Sequence, residues 1–158
     1  MSTDNFSDLK EASQLLDYAH YYLGQGEFNL AMQAAKEARD LYEDMQLAGG
    51  NAEARWVIAY IHFLQGDFKE ALPLLASAQQ QFAAIGFVLQ QSATLFLLAQ
   101  CHYALEKRSK AVYTLKLAHS ILETKQQQLA PESERSNFYL DKESLIKMIE
   151  ETLVEIDV

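Results

Sequence analysis

His62 and His102 stand forty residues apart, and Cys101 lies beside the second, so these are the first side chains to consider for proton transfer or nucleophilic attack. A base paired with Glu70, or a thiol activated by an imidazole, is the chemistry such residues could do. The spacing argues against both. Neighbouring positions on a helix point apart, which separates Cys101 from His102. The repetition of His at an interval of forty is itself a packing signature, since equivalent places in a duplicated unit take the same role. The segment Gly24-Gln25-Gly26 is too short and lacks the Lys and Ser/Thr that let a glycine loop hold phosphate. Cys101 is the single cysteine, so neither an internal disulfide nor a cysteine-based zinc set can form, and a small buried hydrophobe is its better reading. No nucleophile, metal set or cofactor loop emerges, and the chain is expected to be neither an enzyme nor a cofactor carrier.

The elements that carry these residues are helices. At 158 residues the chain is expected to be a single domain with a core large enough to need no metal or disulfide. Its start, MSTDNFSDLKEAS, has neither a basic flank nor an apolar run, and no stretch is apolar for long enough to span a bilayer, so a soluble cytoplasmic protein is expected. The net charge is −9, distributed as −6, −1, +3 and −5 over residues 1–50, 51–90, 91–130 and 131–158. A balance this acidic repels phosphate backbones and disfavours nucleic acid as a partner. The basic third quarter holds Lys107, Arg108, Lys110, Lys116 and Lys125. It could meet an acidic partner or the chain's own acidic ends, but a solvated helix face is the preferred reading.

In chain order, Leu9, Ala12, Leu15, Leu16, Ala19, Tyr22 and Leu23 recur at three and four, giving a helix from about Ser7, its cap, to Gly24 and Gly26. A second helix from about Phe28 carries Ala31, Ala34, Ala35, Ala38, Leu41 and Tyr42. It is expected to break at Ala48-Gly49-Gly50-Asn51, with Asn51 capping the next helix. The stretch AEARWVIAYIHFLQGDFKEALPLLASA, residues 52–78, then reads as two helices around Gly66. Asp67 and Glu70 are spaced for a capping box, and Pro73 should bend the second helix slightly without ending it. A third pair starts near Phe87. Its turn reads ALEKRS where the earlier ones read GQGEF and LQGDF, so a looser or longer turn is expected before a helix from about Ser109 to Gln127. Residues 128–140 read as a loop, and a last helix follows Asp141. Its stripe of Leu145, Met148, Ile149, Thr152, Leu153 and Ile156 faces one way, with Lys147, Glu150, Glu151 and Glu155 mostly on the other.

Small residues hold a register of forty: Ala19, Ala59 and Ala99; Ala31, Ala71 and Ala111; Ala38, Ala78 and Ala118. With Gly66 and Phe68 between the second members, this pattern resembles the tetratricopeptide repeat, over about residues 7–127. The period exceeds that family's usual 34, as in the longer helices of the kinesin light chain type, and the large early residue is Trp56, one place after the position that Arg55 fills. The resemblance implies an all-α, right-handed solenoid of antiparallel helix pairs. About seven helices are expected, with repeats near 7–48, 51–86 and 87–127 and a terminal helix over 141–156. That helix could cap the third repeat or fold back into the groove, and capping closes the shorter loop.

The resemblance also implies a function. First helices of such arrays line a concave groove, which here would present Leu16, His20 and Leu23, then Trp56, Tyr60 and Phe63, then Phe96, Gln100 and Tyr103. That surface is aromatic and apolar, though aromatic stripes at helical spacing are also ordinary core. Relatives that grip a peptide carboxylate use Lys and Asn at these places, and neither occurs there, so that mode is disfavoured. A non-catalytic adaptor, assembly factor or secretion-type chaperone holding an apolar or amphipathic segment of a partner protein is the expectation. The alternative is a structural or regulatory homo-oligomer, such as a homodimer, that uses the same face.

Overall fold

The computed structural model describes residues 3–125 and 141–157, and residues 128–140, read above as a loop, lie outside the described part. Seven helices follow one another: α1 (Thr3–Gly24), α2 (Phe28–Asp44), α3 (Ala48–Leu64), α4 (Phe68–Ala84), α5 (Val88–Ala104), α6 (Arg108–Thr124) and α7 (Lys142–Ile156). Each of α1 to α6 packs on the next, and α1 also touches α3 as α3 touches α5. The result is an all-α solenoid of antiparallel pairs.

The interval of forty is two intervals of twenty. From α2 to α6 every helix is 17 residues long and every connection is three. One backbone device makes each turn. The residue two beyond the helix takes a left-handed conformation, at Gly26, Gln46, Gly66, Gly86 and Glu106, with φ of 73°, 58°, 81°, 76° and 62°. The next amide then reaches back to the carbonyl five residues earlier. These bonds run from Glu27 to Tyr22, Leu47 to Tyr42, Asp67 to His62, Phe87 to Phe82 and Lys107 to His102, at 2.8–2.9 Å. They satisfy carbonyls that a helix end leaves without a partner.

Four expectations are corrected here. The third turn is neither looser nor longer: Glu106 adopts the glycine conformation, and the hydrogen bonds pull the chain into it despite the crowding of its Cβ. The break after α2 falls at Gln46-Leu47, so Gly49, Gly50 and Asn51 lie in the first turn of α3. Gly50 serves packing rather than a stop, because any Cβ there would strike the buried Tyr42 ring. Asp67 stands at the N-cap of α4 but makes no side-chain cap bond, its carboxylate lying 3.7 Å from His62 Nδ1 instead. Ser7, likewise, is inside α1, which begins at Thr3. Pro73 leaves α4 unbroken to Ala84. At the start of α7 the capping is complete: Ser144 donates its amide (2.7 Å) and hydroxyl (2.9 Å) to the Asp141 carboxylate.

The nine aligned alanines are all buried, where a larger side chain would push crossing helices apart. Between them, Leu75, Phe82, Leu115 and Leu122 fill the space on α4 and α6, each removing about 1.5–3 kcal/mol worth of apolar surface from water. Asn51 and Arg55 bind the second pair together. Asn51 donates to the Arg39 carbonyl and accepts from Arg55 Nε and Gln81 Nε2, both at 2.9 Å, while Arg55 Nη1 reaches Ser77 Oγ at 3.3 Å. A polar bridge to α4 thus occupies the place where the repeat pattern has its large residue.

The last helix lies across α6 and touches α5. Leu145 and Ile149 are fully buried against a cluster that includes Phe96, Leu115 and Leu122. Two residues of the basic third quarter hold its end. Arg108 Nε donates to the Ile156 carbonyl, and Lys116 Nζ is 3.5 Å from Asp157, so cations meet the negative pole of α7. These two reach the chain's own acidic end, where a wholly solvated face was preferred.

Candidate groove on the first helices

A helix that places an aromatic every three or four residues stacks them along one face, and α3 does so. The rings of Trp56 and Tyr60 lie 5.1 Å apart at 18°, and those of Tyr60 and Phe63 lie 6.2 Å apart at 12°. Phe68, the first residue of α4, closes the row edge-on to Phe63 at 5.5 Å and 67°. All four rings are half-buried. On α1, Tyr22 contacts Tyr18 and Tyr21, both exposed.

The nine residues expected to line the groove divide by depth. Leu16 (1 % exposed) and Phe96 (9 %) belong to the core, wedged between helices, and offer no open surface. His20, Leu23, Trp56, Tyr60, Phe63 and Gln100 are half-buried, and Tyr103 is half open at 50 %. His20 does more than line a surface. Its Nε2 lies 3.6 Å from an oxygen of Glu53, which is 2 % exposed, so an ionisable pair ties α1 to α3 beneath the aromatic row. Nothing in the helical pattern singled out Glu53, since a Glu in a helix ordinarily faces water.

Past Phe63 and Phe68 a hollow of about 300 Å³ opens between α3, α5 and α6, and the last turn of α7 supplies part of its wall through Thr152, Glu155 and Ile156. The helical pattern put Thr152 and Ile156 on the inward stripe of α7 but Glu155 on its polar side, so it missed only the carboxylate.

The residues first considered for chemistry are placed otherwise. His62 and His102 occupy the same place at the ends of α3 and α5, each accepting the turn amide at its carbonyl. Burial, and then Lys110 and Lys107, hold the His102 pKa below the usual 6.5. Burial pushes the Cys101 thiol up to about 11, so it stays protonated and poorly nucleophilic at neutral pH. Tyr42 is raised above the ordinary tyrosine range by burial first, then by Glu53 and Asp17.

A family model described as tetratricopeptide repeat matches residues 51–124, the two central helix pairs. The turn after α1 and the interval of twenty between the ends of α1 and α2 have the same geometry as in that stretch. Residues 51–124 are thus tetratricopeptide repeats, and the seven consecutive helices fit a tetratricopeptide repeat protein. Members of this family are in general non-catalytic protein–protein interaction modules. No curated protein matches the chain. No helix among the described residues is long and apolar enough to cross a membrane.

Proposed function

We propose that this tetratricopeptide repeat protein is an adaptor, assembly factor or chaperone that holds an apolar or amphipathic segment of a partner protein along α1, α3 and α5. The observation that supports this reading is the continuous aromatic row of Trp56, Tyr60, Phe63 and Phe68, which leads to the half-open Tyr103. Rings that served the core alone would be buried as fully as Phe82, at 0 %. Ring faces accept many apolar side chains and lose little conformational entropy on binding.

Capture from native extract with two exposed tyrosines altered in turn tests the reading. Tyr103→Glu is expected to lose the partner captured by the unaltered protein, whereas Tyr113→Glu, on a residue of α6 that is 69 % exposed and outside the groove set, is expected to retain it. Equal loss or equal retention contradicts groove binding. Light scattering after size exclusion separates this reading from self-association: a concentration-independent dimer that Tyr103→Glu dissociates would replace it.

A further inference from the structure

The hollow at the far end of the aromatic row has a mixed lining. Phe63, Phe68 and Tyr103 give it ring walls, with Ala99 and Leu115 behind them, and Glu155 is its one charged residue among the described residues. A long side chain with an apolar stem and a cationic head suits such a space, because stem and head can be served by different walls. Ring faces attract cations as well as carbon, and a guanidinium stacks on them better than an ammonium does. Of the cations at this end of the array, Arg108 is engaged with the Ile156 carbonyl and Lys116 with Asp157, while Lys107 and Lys110 act on His102. Among the described residues none forms an ion pair with Glu155, which is exposed. Residues 91–130 carry +3, so the attraction for a basic head comes from Glu155 itself and, at longer range, from the chain's net charge of −9.

We infer that this hollow is an anchoring subsite for an arginine of the bound segment, with its stem against Phe63, Phe68 and Tyr103 and its guanidinium at the Glu155 carboxylate. The inference rests on the groove reading, and it makes α7 part of the binding surface as well as a cover for α5 and α6. The partner is therefore a basic, apolar segment of a protein.

Selection from a random peptide library on the 158-residue chain tests this, with Glu155→Gln, Glu155→Lys and Tyr103→Ala proteins in parallel. Glu155 is exposed, so its variants should fold, and circular dichroism melts check that they do. The unaltered protein is expected to enrich peptides with arginine at one fixed place among apolar residues. Affinity for the best of them should fall about tenfold in Glu155→Gln, the scale of one charge-assisted hydrogen bond. Glu155→Lys should turn the preference at that place toward Asp and Glu. Enrichment that depends on Tyr103 but shows no basic preference, or that is the same in all Glu155 proteins, overturns the arginine subsite while leaving the groove standing. Failure to enrich anything over the Tyr103→Ala protein overturns the groove reading, and the subsite with it.

Discussion

The five turns between successive helices use one conformation, but only three of them have glycine in the left-handed position. Gln46 and Glu106 hold φ of 58° and 62°, where the Cβ of an L-residue crowds the following carbonyl at roughly 1–2 kcal/mol. Replacing either by Gly removes that strain, and the greater freedom of Gly in the unfolded chain returns about 0.4–1 kcal/mol. The net gain is expected to be about 0.5–1 kcal/mol for each. For Glu106→Gly, the carboxylate removed lies between the C-terminal end of α5 and the N-terminal end of α6, whose effects on it oppose each other. The reverse change, Gly66→Ala, meets no atom within 4 Å of the added Cβ, so its cost is the backbone strain alone, a net loss of about 0.5–1 kcal/mol. Thermal unfolding followed by circular dichroism reads all three, since 1 kcal/mol moves the midpoint by about 2–4 °C in a chain of this size. Gln46→Gly and Glu106→Gly are far apart in the array, and their gains should add. If both lower the midpoint while Gly66→Ala leaves it unchanged, the shared-turn argument is wrong.

Replacing Ala59 or Ala71, both at 0 % exposure, by Leu overpacks a helix crossing and is expected to cost roughly 1–3 kcal/mol in a denaturant titration; wild-type midpoints would mean these positions are not at crossings. Leu145→Ala should cost about 2–5 kcal/mol if α7 contributes to the folded core as its burial indicates, and the unfolding midpoint in urea measures it. Because the His102 pKa is lowered in the folded chain, the unfolded chain takes up a proton near pH 6.5 that the folded chain does not. The contribution of His102 is therefore whole above that pH and declines as pH falls. Melts from pH 7.5 to 5.5 should show the wild type losing ground to His102→Gln, and a pH-independent difference would refute this.

The regular part of the fold was legible because it depends on residue size at fixed intervals. Ala59, Ala71 and Ala78 must be small wherever helices cross, and their copies forty residues away carry the same requirement. The third turn was not legible, since its conformation is imposed by backbone hydrogen bonds around Glu106 rather than by the residue type that usually favours it. Gly49-Gly50 misled for a related reason. Glycine signals both chain reversal and close packing, and only the position of the Tyr42 ring distinguishes the two. At the candidate site, the period located α3 and its rings, but the depth of Leu16 and Phe96, the buried Glu53 beside His20 and the share of α7 in the hollow all depend on how helices lie against one another. Sequence spacing within one helix carries none of that.

The groove account is tested most directly by photo-crosslinking from defined positions in native extract, with a benzophenone amino acid placed at Tyr103 or at Tyr113. The account predicts that light attaches one discrete partner protein at Tyr103, that excess unlabelled wild-type protein competes it away, and that the Tyr113 protein yields none. A partner attached equally from both positions, or only from Tyr113, would contradict it.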